Sequence, residues 1–344
     1  MMEFKNMTVL VTGGAGYIGS HTVLCLLQAG AQVRVLDNLC NSSPESLARV
    51  ARIAGRSAEL VVGDVRDEAL LQRLLGQGVD AVIHFAGLKA VGESVREPQR
   101  YYDVNVGGSL ALSRAMAAAG VFKLVFSSSA TVYGDPQCVP IDEDQPAGAT
   151  TNPYGRSKWI VEQMLVDLAA ADPRWRMARL RYFNPVGAHA SGLIGEDPRG
   201  IPNNLLPFIA QVAVGQRPEL AIYGQDWPTP DGTGVRDYLH VMDLAEGHLC
   251  ALQALQTRQG APVWNLGTGH GASVLEMVRA FEQASGRAVP YRFAPRRDGD
   301  IAVCYADPRR AQQELGWQAR RGLAEMMADT WRWQSQNPQG FAQG

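Results

Sequence analysis

The sequence has no hydrophobic run long enough to cross a membrane and no excess of either charge. Its 344 residues include 32 Lys and Arg against 34 Asp and Glu, for a formal net charge of −2. A near-neutral chain has no general attraction for nucleic acid or anionic lipid, so local groups must hold any anionic ligand. No run of about 18 apolar residues occurs, and the N-terminus leads into a strand-like stretch without a signal-peptide core. We therefore expect a cytoplasmic protein with no nucleic-acid or membrane partner.

Clustered cysteines are also missing. The five cysteines include no CxxC pair and no clustered His partner. They are Cys25, Cys40, Cys138, Cys250 and Cys304. An odd, dispersed set argues against a disulfide framework and against structural zinc, and we predict no metal site. Repeats and low-complexity segments are absent too, and 46% hydrophobic residues is typical of a globular protein.

Short apolar runs alternate with helix-like segments from residue 8 to about residue 187. The runs are TVLVTG, AQVRVLDN, AELVVGDV, AVIHFAG, KLVFSSS and RMARLRYFN. Continuous apolar runs suit strands that are buried on both faces. The pattern predicts an α/β fold with a doubly wound parallel sheet over residues 1–187. Pro, Gly and Asn cluster beyond that point, and we expect a smaller α/β substrate-binding domain over residues 188–344. Residues 235–256, a strand and then a helix, are candidates to pack back on the first domain.

A glycine-rich turn follows the first predicted strand. Gly13, Gly16 and Gly19 allow a tight turn, close approach to a pyrophosphate and close packing of helix on strand. Asp37 ends the second strand, where a carboxylate binds an adenosine ribose hydroxyl and repels a 2′-phosphate. The pair of features predicts a Rossmann-type NAD site, although Arg34 lies close to Asp37 in sequence and weakens the preference for NAD over NADP. The alternative for Asp37 is an ordinary turn residue.

Two further strands end in residues that suit the same cofactor. Asp64 follows the third strand, where it could accept a hydrogen bond from an adenine amino group. Ala86 and Gly87 follow the fourth strand, where a bulky side chain would collide with the cofactor. Each residue taken alone is equally well explained as a turn former, and their shared position favours the cofactor site.

Tyr154 and Lys158 lie four residues apart at a predicted helix start, on one helical face. A phenol with a pKa of ~10 is a poor base near neutrality, and a neighbouring ammonium lowers that pKa. Ser129 ends the fifth strand beside the expected dinucleotide, so its hydroxyl and the phenol can converge on one substrate alcohol. Serine triplets are more often turn formers, but this placement predicts a catalytic trio.

The chain resembles the extended short-chain dehydrogenase/reductase superfamily, and within it the family of UDP-glucose 4-epimerases. Motifs along nearly the whole chain carry the resemblance: VLVTGGAGYIGSH, GLKAVGES, NPYGRSK, RYFNPVGAH, GIPNNL, GTGVRDYLHV and FAPRRDGD. A glycine turn with YxxxK indicates only the superfamily, whereas the combination of GLKAVGES, GIPNNL and GTGVRDYLHV is much more specific and indicates the epimerases. The resemblance implies an NAD-dependent isomerase that interconverts UDP-galactose and UDP-glucose through a 4-keto sugar. It also implies a homodimer, for which the apolar helices GSLALSRAMAAAG and SKWIVEQMLVDLA are candidates, although burial in the core explains their apolar character as well.

The resemblance assigns roles to individual positions. The residues implied to bind NAD are Gly13, Gly16, Tyr17, Ile18, Gly19, Asp37, Asn38, Ser42, Asp64, Val65, Phe85, Ala86, Gly87, Lys89, Asn105, Tyr154, Lys158 and Phe183. Those implied to bind the UDP-sugar are Ser129, Asn184, Asn204, Leu205, Arg236, Arg297, Asp300 and Cys304. Ser129 would bond the reacting 4-hydroxyl, and Tyr154 would take its proton. Arginines suit a diphosphate and a carboxylate suits ribose hydroxyls, although each arginine alone also fits solvated loop charge.

The chain departs from the family pattern at two positions. Val104 stands where bacterial relatives often carry an Asn, so one cofactor contact is in doubt. Cys304 stands where members restricted to glucose and galactose tend to carry a Tyr. A smaller residue there implies that UDP-GlcNAc and UDP-GalNAc are also interconverted, unless neighbouring side chains refill the space.

Two rival functions remain. Related dehydratases and decarboxylases carry an acid just after the strand-five Ser or Thr. Ala130 and Thr131 stand there in this chain, which disfavours both. A non-catalytic NAD-sensing module on the same fold is the other alternative, since fold does not fix function.

Overall fold

All six apolar runs of the N-terminal half form strands in the structure, a computed structural model that describes residues 4–200, 202–297 and 299–341. The strands, in chain order, are β1 Thr8–Thr12, β2 Gln32–Asp37, β3 Glu59–Val62, β4 Ala81–His84, β5 Lys123–Ser129, β6 Arg176–Tyr182, β7 Asn184–Val186, β8 Leu220–Tyr223, β9 Val235–Arg236, β10 Tyr238–His240, β11 Val263–Leu266, β12 Ala272–Ser273, β13 Tyr291–Ala294 and β14 Val303–Cys304.

Seven of these strands form one sheet in the order β3-β2-β1-β4-β5-β6-β11. Every neighbouring pair in it is parallel. The strand order reverses between β1 and β4, which is where a doubly wound sheet opens a crevice at its carboxyl edge. The predicted doubly wound fold is therefore confirmed, and the crevice lies between the glycine turn after β1 and the segment after β4.

Helices cover both faces of this sheet and also build the C-terminal part. They are α1 Tyr17–Gln28, α2 Pro44–Ala54, α3 Glu68–Leu75, α4 Val91–Arg96, α5 Pro98–Tyr101, α6 Gly108–Ala119, α7 Pro153–Ala171, α8 Leu205–Ala213, α9 Val241–Ala254, α10 Val274–Ser285, α11 Arg309–Leu315 and α12 Leu323–Gln336. A π-helical segment, Tyr102–Gly107, leads into α6, and a single 3₁₀ turn, Ala130–Tyr133, follows β5.

Alternate residues along the strands pack into two separate hydrophobic cores, one on each face of the large sheet. Val9 and Val11 of β1 pack with α1 and α9 on one face, whereas Leu10 packs with α3, α6 and α7 on the other. All three side chains are fully buried. The period of two along a strand explains the division, because successive side chains point to opposite faces. Helices thus cover both faces of the sheet, which leaves its carboxyl edge as the expected place for a ligand.

The C-terminal part has its own core, formed by α8, α10 and α12 with β8. Chain from beyond residue 187 also enters the large sheet, because β11 pairs with β6 and α9 packs against α1. The domain boundary near residue 187 stays a prediction. Among the described residues, no helix combines the length and the apolar character needed to span a bilayer.

Candidate active site

The turn between β1 and α1 brings backbone unusually close to the segment after β4. Gly13 has a φ of +71°, and a Cβ there would lie 2.7 Å from the backbone nitrogen of Ala86. A Cβ on Gly19 would lie 2.3 Å from the carbonyl oxygen of Gly13. Only glycine fits either position. Gly16 precedes α1 without a side-chain cap, so the first N–H groups of the helix stay available to a phosphate.

Asp37 is fixed at the end of β2. Its carboxylate accepts hydrogen bonds from the backbone N–H of Ala15 at 3.0 Å, the N–H of Leu39 at 2.9 Å and the hydroxyl of Ser42 at 2.8 Å. A carboxylate has about four acceptor positions, so one remains for a ribose hydroxyl. Arg34 points elsewhere, since its guanidinium bonds Glu59 at 2.9 Å. Because Arg34 is paired with Glu59, it no longer weakens the preference for NAD over NADP.

Asp64, the carboxylate predicted to bind the adenine, is held in place by hydrogen bonds from neighbouring side chains. Arg66 bonds both oxygens of Asp64 at 2.9 and 2.8 Å, and Asn38 donates to the same carboxylate at 3.3 Å. Hydrogen bonds from Arg66 lower the pKa of Asp64 to about 2. An adenine amino group would therefore share this carboxylate with Arg66. Val65 is buried beside it.

A buried polar chain supports the segment after β4. His84 Nδ1 lies 2.7 Å from the hydroxyl of Thr12, and Nε2 lies 3.0 Å from that of Ser109. Burial lowers the pKa of His84 to about 3, so the ring is neutral. Asn105 accepts from the Leu88 N–H at 2.8 Å and donates to Ser157 at 2.9 Å. Its amide ties this loop to α7.

Several predicted cofactor residues are also bound to the chain itself. The hydroxyl of Tyr17 donates to the carbonyl of Gly187 at 2.7 Å, and Ile18 packs against the core under α1. Lys89 lies 3.4 Å from Glu196, a carboxylate that also accepts from Asn204 at 2.7 Å. The structure thus links a predicted cofactor residue to a predicted substrate residue through Glu196, which sequence reasoning had not singled out.

The predicted catalytic trio comes together where β5 ends and α7 begins. Asn152 caps α7 by accepting from the N–H of Gly155 at 2.9 Å, which sets Tyr154 in the first turn. Ser129, at the end of β5, lies close enough to the Tyr154 hydroxyl to lower its pKa, and its own hydroxyl accepts from Thr131 Oγ1 at 3.0 Å. Lys158, 6% exposed, lies one turn further and donates to the carbonyl of Ser127 at 2.7 Å. The three side chains therefore lie at the carboxyl edge of the sheet, beside the crevice.

The buried corner formed by Ser129, Tyr154 and Lys158 shifts the pKa values of two of these groups. Burial raises the pKa of Tyr154, and its hydrogen bond with Ser129 partly offsets that rise. Burial also lowers the pKa of Lys158 to about 8, close to the working pH of a general acid–base system. The ammonium lies 5.0 Å from the centre of the Phe126 ring. A cationic ligand beside Tyr154 would lower its pKa further.

The predicted substrate residues differ in exposure: Arg297 is exposed, whereas Ser129 and Cys304 are buried. Arg297 forms a two-pronged ion pair with Asp300, at 2.9 and 3.2 Å, and stacks 4.7 Å from the ring of Tyr223. Arg236 stands on β9, directly paired with Cys304 on β14.

Cys304 and Phe183 share a small buried cluster with Val132 and Tyr133 of the 3₁₀ turn. The Cys304 thiol is 8% exposed, and burial raises its pKa to about 11, so it is a neutral, unreactive group. Asn184 begins β7, and Leu205 begins α8 directly after Asn204. Across the described ranges, no group of three or more His, Cys, Asp and Glu side chains is arranged to hold a metal ion.

A family model for NAD dependent epimerases and dehydratases matches residues 9–267, which include the glycine turn and the catalytic trio. The chain belongs to this epimerase/dehydratase family. The match covers the large sheet through its last strand, β11, and so agrees with the fold described above.

Relatives within the epimerase/dehydratase family are similar over almost the full length. A UDP-glucose 4-epimerase of Neisseria meningitidis serogroup B is 60% identical over 334 residues, 97% of this chain and 98% of that protein. The structure of a UDP-glucose 4-epimerase from Bifidobacterium longum, in complex with NAD+ and UDP, is 55% identical with a TM-score of 0.95 and covers 97% of this chain and 100% of that one. One from Stenotrophomonas maltophila, with NAD and formylated UDP-arabinopyranose, is 53% identical with a TM-score of 0.94, over 97% and 99% of the two chains. The resemblance to the UDP-glucose 4-epimerases is confirmed.

Proposed function

We propose that this protein is an NAD-dependent isomerase that interconverts UDP-galactose and UDP-glucose by inverting C4 of the sugar. The observation that carries the proposal is the meeting of Ser129, Tyr154 and Lys158 beside the glycine turn. Elimination and decarboxylation call for an acid after Ser129, and Ala130 and Thr131 stand there instead.

The crevice fits NAD. Gly13 leaves room that a Cβ would fill, the start of α1 offers N–H groups to a pyrophosphate, and Asp37 keeps one acceptor position for a ribose hydroxyl. When bound, NAD would serve as a reversible hydride acceptor for C4, so the sugar passes through a transient 4-keto form without net oxidation. The further NAD contacts implied by the sequence remain part of this proposal, and so does retention of NAD between turnovers.

The chain's own residues handle the proton. Ser129 donates to or accepts from the 4-hydroxyl and holds it against Tyr154, which takes the proton as general base. Lys158 stabilises the resulting phenolate by its charge. The two epimers present opposite faces of C4, so the same phenol serves both directions only if the sugar can turn while its nucleotide stays bound.

The nucleotide is gripped elsewhere. Arg236 and Arg297 suit the diphosphate, and Asp300 suits the ribose hydroxyls of UDP. Asn184, Asn204 and Leu205 complete the proposed contacts. Because the charged anchors are proposed for UDP and not for the hexose, the sugar is left free to rotate.

The direct test is to incubate the purified protein with UDP-galactose and to follow UDP-glucose by chromatography, with and without added NAD. We expect conversion without added NAD, and none from protein that has been stripped of its nucleotide until NAD is restored. NAD binding without any turnover of a UDP-hexose would favour a non-catalytic NAD-sensing module instead.

We further propose that Cys304 leaves room for an N-acetyl group, so that UDP-GlcNAc and UDP-GalNAc are also interconverted. Cys304 packs in the same cluster as Phe183 and Tyr133. Replacing Cys304 with Tyr should reduce turnover of UDP-GalNAc far more than that of UDP-galactose. If neither the wild type nor Cys304→Tyr acts on UDP-GalNAc while UDP-galactose is turned over normally, the pocket is refilled by its neighbours and this proposal is wrong.

A homodimer is part of the proposal. Val95 on α4 is 62% exposed, and Ile160 and Val166 on α7 are also exposed, which leaves apolar surface on two helices that contact each other. A second copy of the chain could cover this surface. Sedimentation equilibrium should give twice the chain mass, and Val95→Glu with Ile160→Glu should shift it to one chain. Location in the cytoplasm stays a prediction from the sequence.

A further inference from the structure

Three consecutive serines at the end of β5 each lie beside a different side chain of α7. The carbonyl of Ser127 accepts from Lys158 at 2.7 Å, and the hydroxyl of Ser129 lies close enough to Tyr154 to lower the pKa of its phenol. Between them, the hydroxyl of Ser128 donates to Glu162 at 2.5 Å. Two of these contacts belong to the proposed catalytic trio, but the middle one joins two fully buried side chains outside the trio, and the proposed function gives it no role.

Glu162 is held so firmly that it can serve as a fixed point. Its side chain is 0% exposed, and Arg181 donates to both its oxygens, at 2.9 Å from Nε and 2.6 Å from Nη2. Arg179 adds a third contact at 3.2 Å. Arg181 in turn lies over the ring of Tyr133, 4.8 Å from its centre. A carboxylate bound by two arginines from β6 cannot follow α7 if the helix slides along the sheet.

The geometry of the helix passes this constraint to the catalytic residues. Lys158 and Glu162 are four residues apart and so lie on one face of α7, one turn from each other, with Tyr154 one turn before Lys158. An apolar contact between α7 and the sheet would tolerate small shifts, whereas a hydrogen bond between a buried carboxylate and one serine fixes a single register. Buried ion pairs add little net stability but can specify one arrangement.

We propose that Glu162, acting through Ser128, is a positioning residue that sets the register of α7 on β5 and thereby the contact between Ser129 and Tyr154. The inference rests on the proposed function, because that contact has its role in removing the proton from the sugar 4-hydroxyl. Arg181 and Arg179 are the supports that keep Glu162 in place.

Ser128→Ala is the sharpest test, since it removes one hydroxyl and leaves the pair of Glu162 and Arg181 intact. We expect kcat with UDP-galactose to fall about tenfold, because small misplacements of reacting groups have effects of at least that size. The KM should change less than about twofold, since the UDP anchors are remote. The acid limb of the pH profile of kcat should move to higher pH, because Tyr154 loses part of the hydrogen bond that lowers its pKa. A spectroscopic titration of the phenol, compared with Tyr154→Phe, should show the same shift without turnover.

The matched control is Ser113→Ala, which removes another buried hydroxyl, one that donates to the carbonyl of Leu110 in α6 at 2.9 Å. It should leave kcat and the pH profile unchanged. Glu162→Asp offers a second route, because it keeps the charge beside Arg181 but withdraws the carboxylate from Ser128, and it should reproduce the pH shift.

A double variant separates positioning from plain loss of stability. If Ser128 acts through Ser129, adding Ser128→Ala to Ser129→Ala should cause little further loss of kcat. Ser128→Ala that behaves like Ser113→Ala, or that adds its full effect to Ser129→Ala, would overturn the inference while the wild type still epimerises. An inactive wild type would instead count against the proposed function.

Discussion

The catalytic corner, formed by Ser129, Tyr154 and Lys158, differs in burial and in pairing from the proposed nucleotide rim, formed by Arg297 and Asp300. At the corner, Ser129 and Lys158 are less than a tenth exposed and already bonded within the chain. At the rim, Arg297 has 58% of its side chain exposed, forms an ion pair with Asp300 and stacks on the ring of Tyr223. The corner is assembled before any ligand arrives, whereas the rim consists of charges that can exchange partners.

The difference follows from what each region has to do. Charges act strongly in a buried, water-poor site, so a fixed corner can stabilise a phenolate with little reorganisation. An exposed ion pair contributes little to stability, so its arginine can leave its carboxylate partner and bind a diphosphate with little loss of folding free energy. Proton transfer at the corner and nucleotide binding at the rim are therefore separable, and substitutions in one region should leave the function of the other nearly unchanged.

Tyr154→Phe should have the largest effect on the corner. We expect kcat for UDP-galactose to fall about a thousandfold, within the range that general-base catalysis provides. Binding of UDP, measured by calorimetry, should stay within about twofold of the wild type, because the phenol is not among the UDP anchors. Tyr291→Phe, at an exposed tyrosine on β13, is the control and should match the wild type in both measurements. Undiminished turnover in Tyr154→Phe would remove the base from the account.

The corner shows how far a sequence can be read. The glycine turn, Asp37 and the Tyr154–Lys158 pair are local signals, because the turn or helix that carries each one is fixed by a few neighbouring residues. The link between Ser128 and Glu162 spans 34 positions and that between Glu162 and Arg181 spans 19. Such contacts depend on how helix and sheet pack, which periodicity does not encode.

Other features were missed for related reasons. Strand β11 completes the large sheet from a run of only four residues far along the chain, and β9, β12 and β14 have two residues each. Runs this short carry no readable period. The pKa of Lys158 depends on burial from every side, so the sequence predicted its charge but not its shift.

Acid should weaken the buried region before it affects the rim. Burial lowers the pKa of His84 to about 3 and that of His248 to about 4, below the unfolded value of ~6.5. The stability each ring contributes is complete above that value and is lost as the pH falls from it toward the folded pKa. The loss is up to about 1.4 kcal/mol per pH unit for each histidine. Urea midpoints between pH 7 and pH 4 measure it.

A variant at His84 sharpens the acid test. His84→Asn should flatten the decline in stability below pH 6.5, relative to its own stability at pH 7, whereas His270→Gln, at an exposed ring, should not. Equal slopes in all three proteins would mean that the buried ring does not govern acid sensitivity.

Alkaline pH should affect the corner through Lys158. Because the pKa of its ammonium is about 8, the charge that supports the phenolate is lost above that pH, and kcat should fall about tenfold per pH unit there. Lys158→Arg keeps a charge that does not titrate in this range. Any activity it retains should lack the alkaline limb, and an unchanged limb would assign it to another group.

Arg297→Ala should show the smallest effect, confined to the rim. The Kd for UDP should rise about tenfold, as expected for loss of one charged hydrogen-bonding group. The value of kcat at saturating UDP-galactose should change less than about threefold. Arg292→Ala, which breaks the neighbouring exposed pair with Glu219, is the matched control and should leave the Kd unchanged. A tenfold loss of kcat in Arg297→Ala would show that nucleotide binding and catalysis are not separate.

In the proposed reaction, the hydrogen leaves C4 and returns to C4 within the buried catalytic corner, without passing through solvent. UDP-galactose that carries deuterium at C4 should be epimerised in ordinary water, and the UDP-glucose formed should be examined by mass spectrometry. We expect the deuterium to stay at C4 of the product, because it travels as a hydride and never exchanges with solvent. Replacement of the label by solvent hydrogen would rule out direct hydride transfer from and to C4.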